Sequence, residues 1–346
     1  MKLADRIESF EMLGDLLRRY HENSSDPALS RFRHAAQLAN AENPWFTPEH
    51  IRLALNSLGT ALSHENITRW LSGYGNRLEN VSASKTVGVV MAGNIPAVGF
   101  HDFLCVLISG HKLIARLSSS DARLLPAMAA ELTDAFPGWH NHITFTTGRL
   151  EGFDTIIATG SDNTSRYFNF YFGKYPNIIR KNRNSIAILN GREDADTLKK
   201  IAGDIMLYFG MGCRSVSKIF VPRGYDFSGL TRAMEKYSQF IHHNKYCNNY
   251  DYSRSIFLVN QVPFTDAGCL LLKEDPALAS RIAVLHYEYF DTPEEIEKYV
   301  EENREFIQCI VSNMPVGARS VKPGMAQNPA LWEYADDLDT LDFLLS

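Results

Sequence analysis

Residues 86–116, TVGVVMAGNIPAVGFHDFLCVLISGHKLIAR, place two short apolar runs on either side of a longer apolar segment. The first run, residues 86–93, ends in glycine and predicts a strand, and residues 112–118 predict another. The segment between them, residues 97–109, predicts a helix. A strand, a helix and a second strand joined by short loops are typical of a parallel sheet that is covered by helices.

The same alternation continues along most of the chain. Residues 1–80 are predicted to be helical, with Thr47 as an N-cap and Pro48 in the first helical turn. Further strands are predicted at residues 142–148, 154–160, 184–191, 215–222, 254–260, 281–290 and 306–313, with helices at residues 121–136, 162–174, 193–209, 227–241 and 292–305. The pattern predicts an α/β protein with mainly parallel sheets and a helical N-terminal region.

A long helical segment interrupts the alternation and predicts a domain boundary near residue 195. The chain would then divide into an N-terminal domain, residues 1–195, and a second α/β domain, residues 196–314. Residues 315–346 begin as a loop and end in a helical pattern. The pattern does not specify where this tail docks, and packing on the first domain is one option. A length of 346 residues agrees with two domains, since one core rarely organises so long a chain.

The composition indicates an ordinary globular protein, with 45% hydrophobic and 22% charged residues. A net charge of −5 argues against nucleic acid as a partner, and no apolar run reaches the roughly 18 residues of a membrane span. The cysteines form no CxxC pair, so neither a metal site nor a disulfide framework is predicted, and a cytoplasmic setting is expected. They are Cys105, Cys213, Cys247, Cys269 and Cys309.

Residues 209–222, FGMGCRSVSKIFVP, place Cys213 where a helical stretch changes into an extended one. Gly210 and Gly212 leave room beside the thiol for a ligand or for a moving backbone. Two interpretations follow from the residues alone. The first is a nucleophilic thiolate favoured by the neighbouring Arg214, and the second is a buried structural cysteine in a glycine-lined bend.

Two further candidates follow predicted strands. In an open α/β sheet, ligands bind outside the carboxyl ends of the strands, so Asn94 could donate a hydrogen bond to a developing oxyanion or cap a helix that Pro96 begins. The turn after residues 154–158 could receive a phosphate at the start of the next helix or act only as a helix cap. That turn is Thr159, Gly160 and Ser161.

These stretches together resemble the aldehyde dehydrogenase superfamily, and within it the acyl-CoA reductases of the LuxC type. GNIP at residues 93–96 is similar to the Asn-Phe-Pro stretch of the family, and GHKLIARLSSSD at residues 110–121 is similar to its cofactor-binding strand. ATGS at residues 158–161 is similar to its Phe-Thr-Gly-Ser turn. GMGCRSVSKIFV at residues 210–221 is similar to its nucleophile segment. The resemblance runs from about residue 86 to residue 313.

The resemblance implies a role for each matching residue. Cys213 becomes the nucleophile, and Asn94 becomes an oxyanion donor together with the backbone N–H of Cys213. Arg116 takes the place of a cofactor-binding lysine. The cofactor turn falls on Thr159, Gly160 and Ser161. The first domain would therefore bind NAD(P) and the second would carry the nucleophile.

The sequence departs from the family at the catalytic glutamate. The corresponding run is RKNRNSI, residues 180–186, and its first residue is Arg180, which cannot accept a proton at neutral pH. Hydrolysis of an acyl-cysteine needs such a base, whereas reduction of an acyl thioester to an aldehyde does not. Either the base is lost because the protein is a reductase, or another residue such as His286 or Glu288 replaces it.

Two other departures concern the cofactor. Ser119 stands where NAD-preferring relatives often have a glutamate, so a 2′-phosphate meets no repulsion and Arg116 could pair with it. NADPH is therefore the expected donor, with NADH as the alternative. The Glu-x-Phe-Gly-Pro element of the family is not found near residues 279–290.

The resemblance implies an acyl-CoA or acyl-carrier-protein thioester reductase that forms an aldehyde through an acyl-cysteine and uses no metal. Relatives usually form dimers or tetramers, so a homodimer is compatible with it. Two alternatives stay open. One is an aldehyde or semialdehyde dehydrogenase that works in the oxidising direction, and the other is a catalytically silent scaffold subunit.

Overall fold

The computed structural model of the protein describes residues 1–79, 84–160, 162–314, 316 and 319–346. The chain forms two compact α/β units. The first comprises Met1–Asn182 and Ala330–Ser346, and the second comprises Arg183–Pro329. Within the described residues, no helix is long and apolar enough to cross a membrane.

Within residues 1–79, four α-helices precede the first sheet, in agreement with the predicted helical N-terminal region. The hydroxyl oxygen of Thr47 accepts a hydrogen bond from the backbone N–H of His50 at 3.2 Å, and Pro48 occupies the first helical position, so the third helix begins where its capping residues predict. The helices are α1 Leu3–Arg18, α2 Ser30–Glu42, α3 Pro48–Ala61 and α4 His64–Leu71.

The sheet of the first unit has the strand order β3-β2-β1-β4-β5, and all of these strands run parallel. Three helices alternate with its strands. Its elements are β1 Thr86–Val90, α5 Phe100–Ile108, β2 Lys112–Arg116, α6 Leu124–Ala135, β3 Ile143–Thr146, β4 Thr155–Thr159, α7 Asp162–Phe172 and β5 Asn177–Arg180. Because the strands are parallel, their carboxyl ends lie along one edge, where ligands bind in sheets of this type.

The two faces of this sheet are covered differently. Alternate residues of β1 and β2, such as Val87 and Leu113, are fully buried in a core that α5 and α6 share. On the opposite face, the ring of Phe153 lies so close to β1 that a Cβ at Gly88 would be 3.0 Å from its Cγ. The chain from β3 to β4, residues 147–154, crosses without a helix, so this second face stays more open.

The sheet of the second unit has the order β12-β11-β6-β7-β10-β9-β8 and is parallel except for the β8–β9 pair. Its elements are β6 Asn184–Ile188, α8 Ala195–Met206, β7 Val216–Pro222, α9 Ser228–Met234, α10 Asn244–Val259, β8 Thr265–Asp266, β9 Leu271–Glu274, β10 Val284–Phe290, α11 Pro293–Glu302, β11 Ile307–Ser312 and β12 Ser320–Val321. Strand β6 pairs with β7 and β11 of this unit. The units therefore divide between residues 182 and 183 instead of near residue 195.

The strand predicted at residues 254–260 is wrong, because residues 254–259 continue helix α10 and Asn260 is its C-cap. Tyr246, Tyr250, Ser253 and Phe257 recur at helical spacing and are buried, whereas Val259 at the end of the helix is exposed. The apolar run in the sequence therefore belongs to one helix, of which some apolar residues are buried and others are exposed.

The end of the chain returns to the first unit, where α12 Thr340–Leu345 packs against α5. Polar contacts fix this tail. The phenolic oxygen of Tyr334 accepts a hydrogen bond from the indole N–H of Trp70 at 2.6 Å, and one ring nitrogen of His111 lies 2.8 Å from the carbonyl oxygen of Leu344. Residues 183–329 thus form the second unit as an insertion between the body of the first unit and its last segment.

Candidate functional site

Most of the candidate residues of the first unit lie at the carboxyl edge of its sheet. Asn94 follows β1 and is exposed, and Arg116 is the last residue of β2. Thr159 is the last residue of β4, with Gly160 directly after it. Helix α5 begins only at Phe100, so the interpretation of Asn94 as the cap of a helix beginning at Pro96 is wrong.

A buried carboxylate joins the two loops that follow β1 and β2. Asp121 accepts a hydrogen bond from the backbone N–H of Ala97 at 2.7 Å, and Ala97 has a left-handed φ of 56°. A Cβ at Gly93 would lie 2.5 Å from the Cβ of Ser118, so the loops touch there too. Burial raises the pKa of Asp121 to about 7, although its backbone hydrogen bonds act in the opposite direction. The loop of Asn94 is thereby held against the loop of Ser119.

The turn after β4 is closely packed at its glycine. The N–H of Gly160 donates to the carbonyl oxygen of Arg180 at 3.3 Å. A Cβ at Gly160 would lie 2.8 Å from Cε2 of Phe168 and 3.1 Å from the Cβ of Thr164 in helix α7. Glycine is needed here because the helix approaches its own preceding turn. Ser161, the third residue of the predicted cofactor turn, lies outside the described residues.

A groove of about 590 Å³ opens on the less covered side of the first sheet. Arg116 and Val90 line one part of it, and Phe153 lines another. Tyr167 and Tyr171 of helix α7 also line the groove and are 65% and 56% exposed. The remaining cations of the lining are Arg149 and Lys174. Aromatic rings beside several cations suit a flat base that carries phosphate groups.

Cys213 lies in the second unit, in the loop between α8 and β7, and is half-buried. Helix α8 ends at Met206, and then Tyr208 and Phe209 adopt left-handed φ angles of 54° and 56°. Such conformations in non-glycine residues are unfavourable by about 1–3 kcal/mol each and persist only where packing enforces them. The ring of Phe209 packs on the rings of Phe240 and His243, with centroids 4.5 and 4.7 Å apart.

Hydrogen bonds fix the backbone around the thiol. The carbonyl oxygen of Cys213 accepts from the hydroxyl of Ser185 on β6 at 2.9 Å. The N–H of Gly212 donates to the hydroxyl oxygen of Ser215 at 3.2 Å, and the N–H of Ser215 donates to the carbonyl oxygen of Gly212 at 2.9 Å. The neighbouring Arg214 donates to the carbonyl oxygen of Ala326. The cysteine is therefore held in a closed turn and is not a core residue.

The other cysteines occupy different environments. Cys105, Cys269 and Cys309 are buried. Cys247 is half-buried on helix α10, where its thiol donates to the carboxylate of Asp251 at 3.4 Å. That hydrogen bond is the largest factor that raises the pKa of Cys247. A carboxylate beside a thiol disfavours the thiolate, so Cys247 serves as a reference for Cys213.

Arg180, which the sequence resemblance aligns with a catalytic glutamate, is buried and engaged in structural contacts. One guanidinium nitrogen donates to both carboxylate oxygens of Asp102, at 2.8 and 2.7 Å, and the other donates to the hydroxyl of Thr340 at 2.7 Å. The side chains of Arg180 and Asp102 are only 5% and 11% exposed. This arginine joins β5, α5 and the tail, and it offers no proton acceptor.

The two replacement bases considered from the sequence are both on β10. A ring nitrogen of His286 lies 2.9 Å from the carbonyl oxygen of Ala277, and burial lowers the pKa of this histidine. Glu288 forms an ion pair of 2.5 Å with the fully buried Lys218. Each group is thus already engaged, His286 with a backbone carbonyl group and Glu288 with a buried lysine.

Sequence reasoning missed several buried polar groups. Asp102 and Asp204 each lie in an otherwise apolar stretch of helix, which is a signal that the sequence does contain. Burial raises the pKa of Asp204 to about 6, while hydrogen bonds from the N–H groups of Gly324 and Ala326 act in the opposite direction. Their partners are distant in sequence and could not be read from it.

The architecture is shared with solved enzymes. An oxidoreductase from Marinobacter aquaeolei superposes with a TM-score of 0.66 at 10% identity, over 95% of this chain and 79% of its own. An aldehyde dehydrogenase from Pseudomonas aeruginosa superposes with a TM-score of 0.63 at 13% identity, over 92% and 73% of the two chains. The chain has the aldehyde dehydrogenase fold.

A further aldehyde dehydrogenase, from Bacillus cereus and solved as its NAD⁺ complex, has this fold with a TM-score of 0.60 at 14% identity. It is matched over 90% of this chain and 72% of its own. No protein-family model and no curated protein sequence matches the chain. At these identities the likeness establishes the aldehyde dehydrogenase fold and leaves the activity to be argued from the residues.

Proposed function

We propose that the protein is an NAD(P)H-dependent reductase that converts an acyl thioester into an aldehyde through an acyl group on Cys213. The observation that carries the proposal is the environment of Arg180. Where the family resemblance places a general base, this chain has a buried guanidinium bound to Asp102 and Thr340. The fold and the setting of Cys213 support the oxidoreductase class, and Arg180 favours acyl reduction over aldehyde oxidation.

The chemical argument concerns water. An aldehyde-oxidising enzyme must hydrolyse its acyl-cysteine, and this step needs a base that removes a proton from water. A reductase must keep the same acyl group until it is reduced, because hydrolysis would release the acid. An arginine that is always charged cannot serve as that base, so its presence is compatible with reduction and unfavourable for oxidation.

The chain's own nucleophile performs the first step. The thiol of Cys213 loses its proton to solvent and the thiolate attacks the thioester carbonyl. The tetrahedral intermediate then collapses, the bond to the carrier sulfur breaks as the acyl-cysteine forms, and the carrier thiolate takes up a proton from solvent. We assign Asn94 as a side-chain donor to the oxyanion, together with the backbone N–H of Cys213, on the family resemblance. Donors of this kind typically contribute about 3 kcal/mol each to the transition state.

The groove beside Arg116 fits the adenosine end of a dinucleotide. Its aromatic rings offer stacking surfaces, and Arg116 and Lys174 offer positive charge for phosphates, whereas Arg149 is ion-paired at 3.6 Å with Glu151 of the same lining. Ser119 is exposed after β2 and places no carboxylate beside a 2′-phosphate. When bound, the dinucleotide supplies the hydride that reduces the acyl group. These features favour NADPH as the donor, with NADH as the alternative.

The substrate class we propose is an acyl chain carried by coenzyme A or by an acyl-carrier protein. The test incubates the protein with acyl-CoA labelled in the acyl group and locates the label by mass spectrometry. We expect the label on Cys213, and we expect its release as aldehyde when NADPH is added. Cys247→Ser is the matched control, since Cys247 is equally half-buried but lies beside Asp251.

Three results would contradict the proposal. Equal labelling of a Cys213→Ser variant would remove the assigned nucleophile. Release of the label as free acid without NADPH, at a rate comparable to turnover, would instead assign the protein to aldehyde oxidation. No labelling of Cys213 beyond that of Cys247 would indicate a catalytically silent subunit.

A further inference from the structure

A segment near the end of the second unit, residues 322–327, lies across the end of helix α8. Its Gly324 has a φ of +87°, and a Cβ there would lie 3.2 Å from Cγ of Lys200. One turn further along the helix, the carboxylate of Asp204 accepts the N–H of Gly324 at 2.6 Å and the N–H of Ala326 at 3.1 Å. The segment is thus attached to the helix that precedes the loop of Cys213.

The same segment is also attached to the residues that follow Cys213. The guanidinium Nε of Arg214 donates to the carbonyl oxygen of Ala326 at 2.5 Å. The amide nitrogen of Gln327 donates to the hydroxyl oxygen of Ser215 at 3.0 Å. The peptide groups of Ala326 are therefore held by Asp204 on one side and by Arg214 on the other, and Ala326 is fully buried.

We propose that residues 322–327 form a strap that fixes the loop of Cys213, with Asp204 and Gln327 as its positioning residues. The strap bonds to the chain nine residues before the thiol and again one and two residues after it, so it spans the loop. It acts together with Ser185 of the neighbouring strand β6, which donates a hydrogen bond to the carbonyl oxygen of Cys213. The consequence for catalysis rests on the proposed function, whereas the restraint on the loop does not.

A restraint of this kind has a physical purpose at this position. The loop contains Gly210 and Gly212, and it follows the left-handed residues Tyr208 and Phe209. Glycines make other backbone conformations accessible. An unfavourable turn relaxes unless packing and hydrogen bonds of neighbouring groups keep it in place. A nucleophile displaced by about 1 Å can lose on the order of a hundredfold in rate. The strap supplies anchor points that the loop itself lacks.

Ser215 is the point at which the strap reaches the turn of the thiol. Its hydroxyl oxygen receives both the amide of Gln327 and the N–H of Gly212, and the residue is 2% exposed. A methionine at position 327 would keep the length of the side chain and remove this donor. An asparagine at position 204 would keep the shape of Asp204 and replace one of its two acceptor oxygens by a donor group.

The test compares Asp204→Asn and Gln327→Met with the unchanged protein by amide hydrogen exchange of residues 207–216. Met325→Ala is the matched control, because Met325 lies in the same segment but is 48% exposed. We expect exchange of the loop to become about tenfold faster in both variants, with helix α8 and strand β7 unchanged. If Asp204→Asn does not fold, Gln327→Met alone decides the question. Unchanged exchange in the variants that fold overturns the proposal.

Steady-state kinetics test the catalytic consequence separately. With acyl-CoA and NADPH, we expect kcat to fall about tenfold in Gln327→Met with KM nearly unchanged, because the strap positions the nucleophile and does not bind the substrate. A rise in KM with constant kcat overturns the positioning role. If the unchanged protein has no reductase activity but the variants still show faster exchange, the strap is supported and the proposed function is overturned. The failure of the proposed function can therefore be told apart from the failure of the strap.

Discussion

Arg180 donates two hydrogen bonds, of 2.7 and 2.8 Å, to the carboxylate of Asp102 in the interior of the first unit. The two residues are 78 positions apart, on β5 and on α5. A third hydrogen bond from the same guanidinium reaches Thr340 in the tail. One arginine thus connects three parts of the unit.

Breaking this ion pair should destabilise the first unit strongly. In Arg180→Met, the carboxylate of Asp102 would remain buried without its partner. In Asp102→Leu, the guanidinium of Arg180 would remain buried without its partner. Uncompensated buried charges of this kind typically cost about 3–5 kcal/mol. Denaturant unfolding followed by tryptophan fluorescence would measure the loss.

The double variant Asp102→Leu with Arg180→Met separates this effect from a general loss of packing. Since it buries no unpaired charge, we expect it to be more stable than either single variant. A double variant whose losses are the sum of the single ones would show that the charges do not interact appreciably.

Most elements of the fold could be predicted from local patterns. Strands such as Thr86–Val90 are short apolar runs that end in glycine or polar residues, and α3 begins at its predicted cap. Strands β5, β8, β9 and β12 are not among the predicted strands, and one predicted strand, residues 254–260, is wrong because residues 254–259 belong to α10. Here the buried positions Tyr246, Tyr250 and Phe257 have helical spacing. Taken alone, the apolar residues at the end of the segment indicate a strand, and the helical spacing is visible only over the whole segment.

The sequence predicts only those parts of the candidate site whose positions the strand topology determines. Parallel strands bring Asn94, Arg116 and Thr159 to one edge because of topology alone. The contacts of Arg180 with Asp102, and of Asp204 with Ala326, join residues about 80 to 120 positions apart. Nothing local in the sequence specifies such pairs, so the structural role of Arg180 could not be derived from it.

Asp121 should make the stability of the first unit depend on pH. Burial raises its pKa from 3.8 to about 7 in the folded state, so the folded protein holds a proton that the unfolded chain has released between these values. Its contribution to the free energy of unfolding is therefore present below about pH 4 and is lost as the pH rises to about 7. The total loss is on the order of 4 kcal/mol, since one pKa unit corresponds to about 1.4 kcal/mol.

Asp121→Asn isolates this effect, because an asparagine can still accept the N–H of Ala97 but does not titrate. We expect the stability of the variant relative to the unchanged protein to increase as the pH rises from 4 to 8. Urea unfolding at several pH values would measure the difference, in which the other titrating groups cancel. A difference that stays constant over this range would show that Asp121 ionises normally in the folded state.

Arg116 should determine the preference between the two dinucleotides. It lines the groove at the end of β2, where it could pair with a 2′-phosphate. We expect Arg116→Ala to weaken NADPH binding by about tenfold or more, equivalent to about 1.4 kcal/mol, and to leave NADH binding almost unchanged. Fluorescence titration of the two reduced dinucleotides gives both affinities without any turnover.

Lys112→Ala is a control for the charge of β2, since Lys112 is an exposed cation at the opposite end of the same strand. Because salt screens the effect of a charge at that distance, Lys112→Ala should leave both affinities almost unchanged. Equal weakening of NADPH and NADH by Arg116→Ala would assign this arginine to the pyrophosphate or ribose that both molecules share, and the preference for NADPH would then need another cause.

Gly160 should tolerate no side chain, because its missing Cβ is what lets helix α7 begin so close to β4. In Gly160→Ala the new methyl group would lie 2.8 Å from Phe168 and 3.1 Å from Thr164, and the helix would have to move away from the strand. We expect a loss of about 1–3 kcal/mol in stability and weaker NADPH binding, because Tyr167 and Tyr171 of the displaced helix line the groove.

Gly73→Ala provides the comparison, since its Cβ would meet no atom closer than 3.9 Å, and its effect should stay within about 0.5 kcal/mol. Thermal unfolding with and without NADPH would measure both the loss of stability and the weaker binding of NADPH in one experiment. If Gly160→Ala lost stability but kept its full shift in Tm on adding NADPH, the helix would not contribute to the nucleotide site, and the groove would have to be assigned to another ligand.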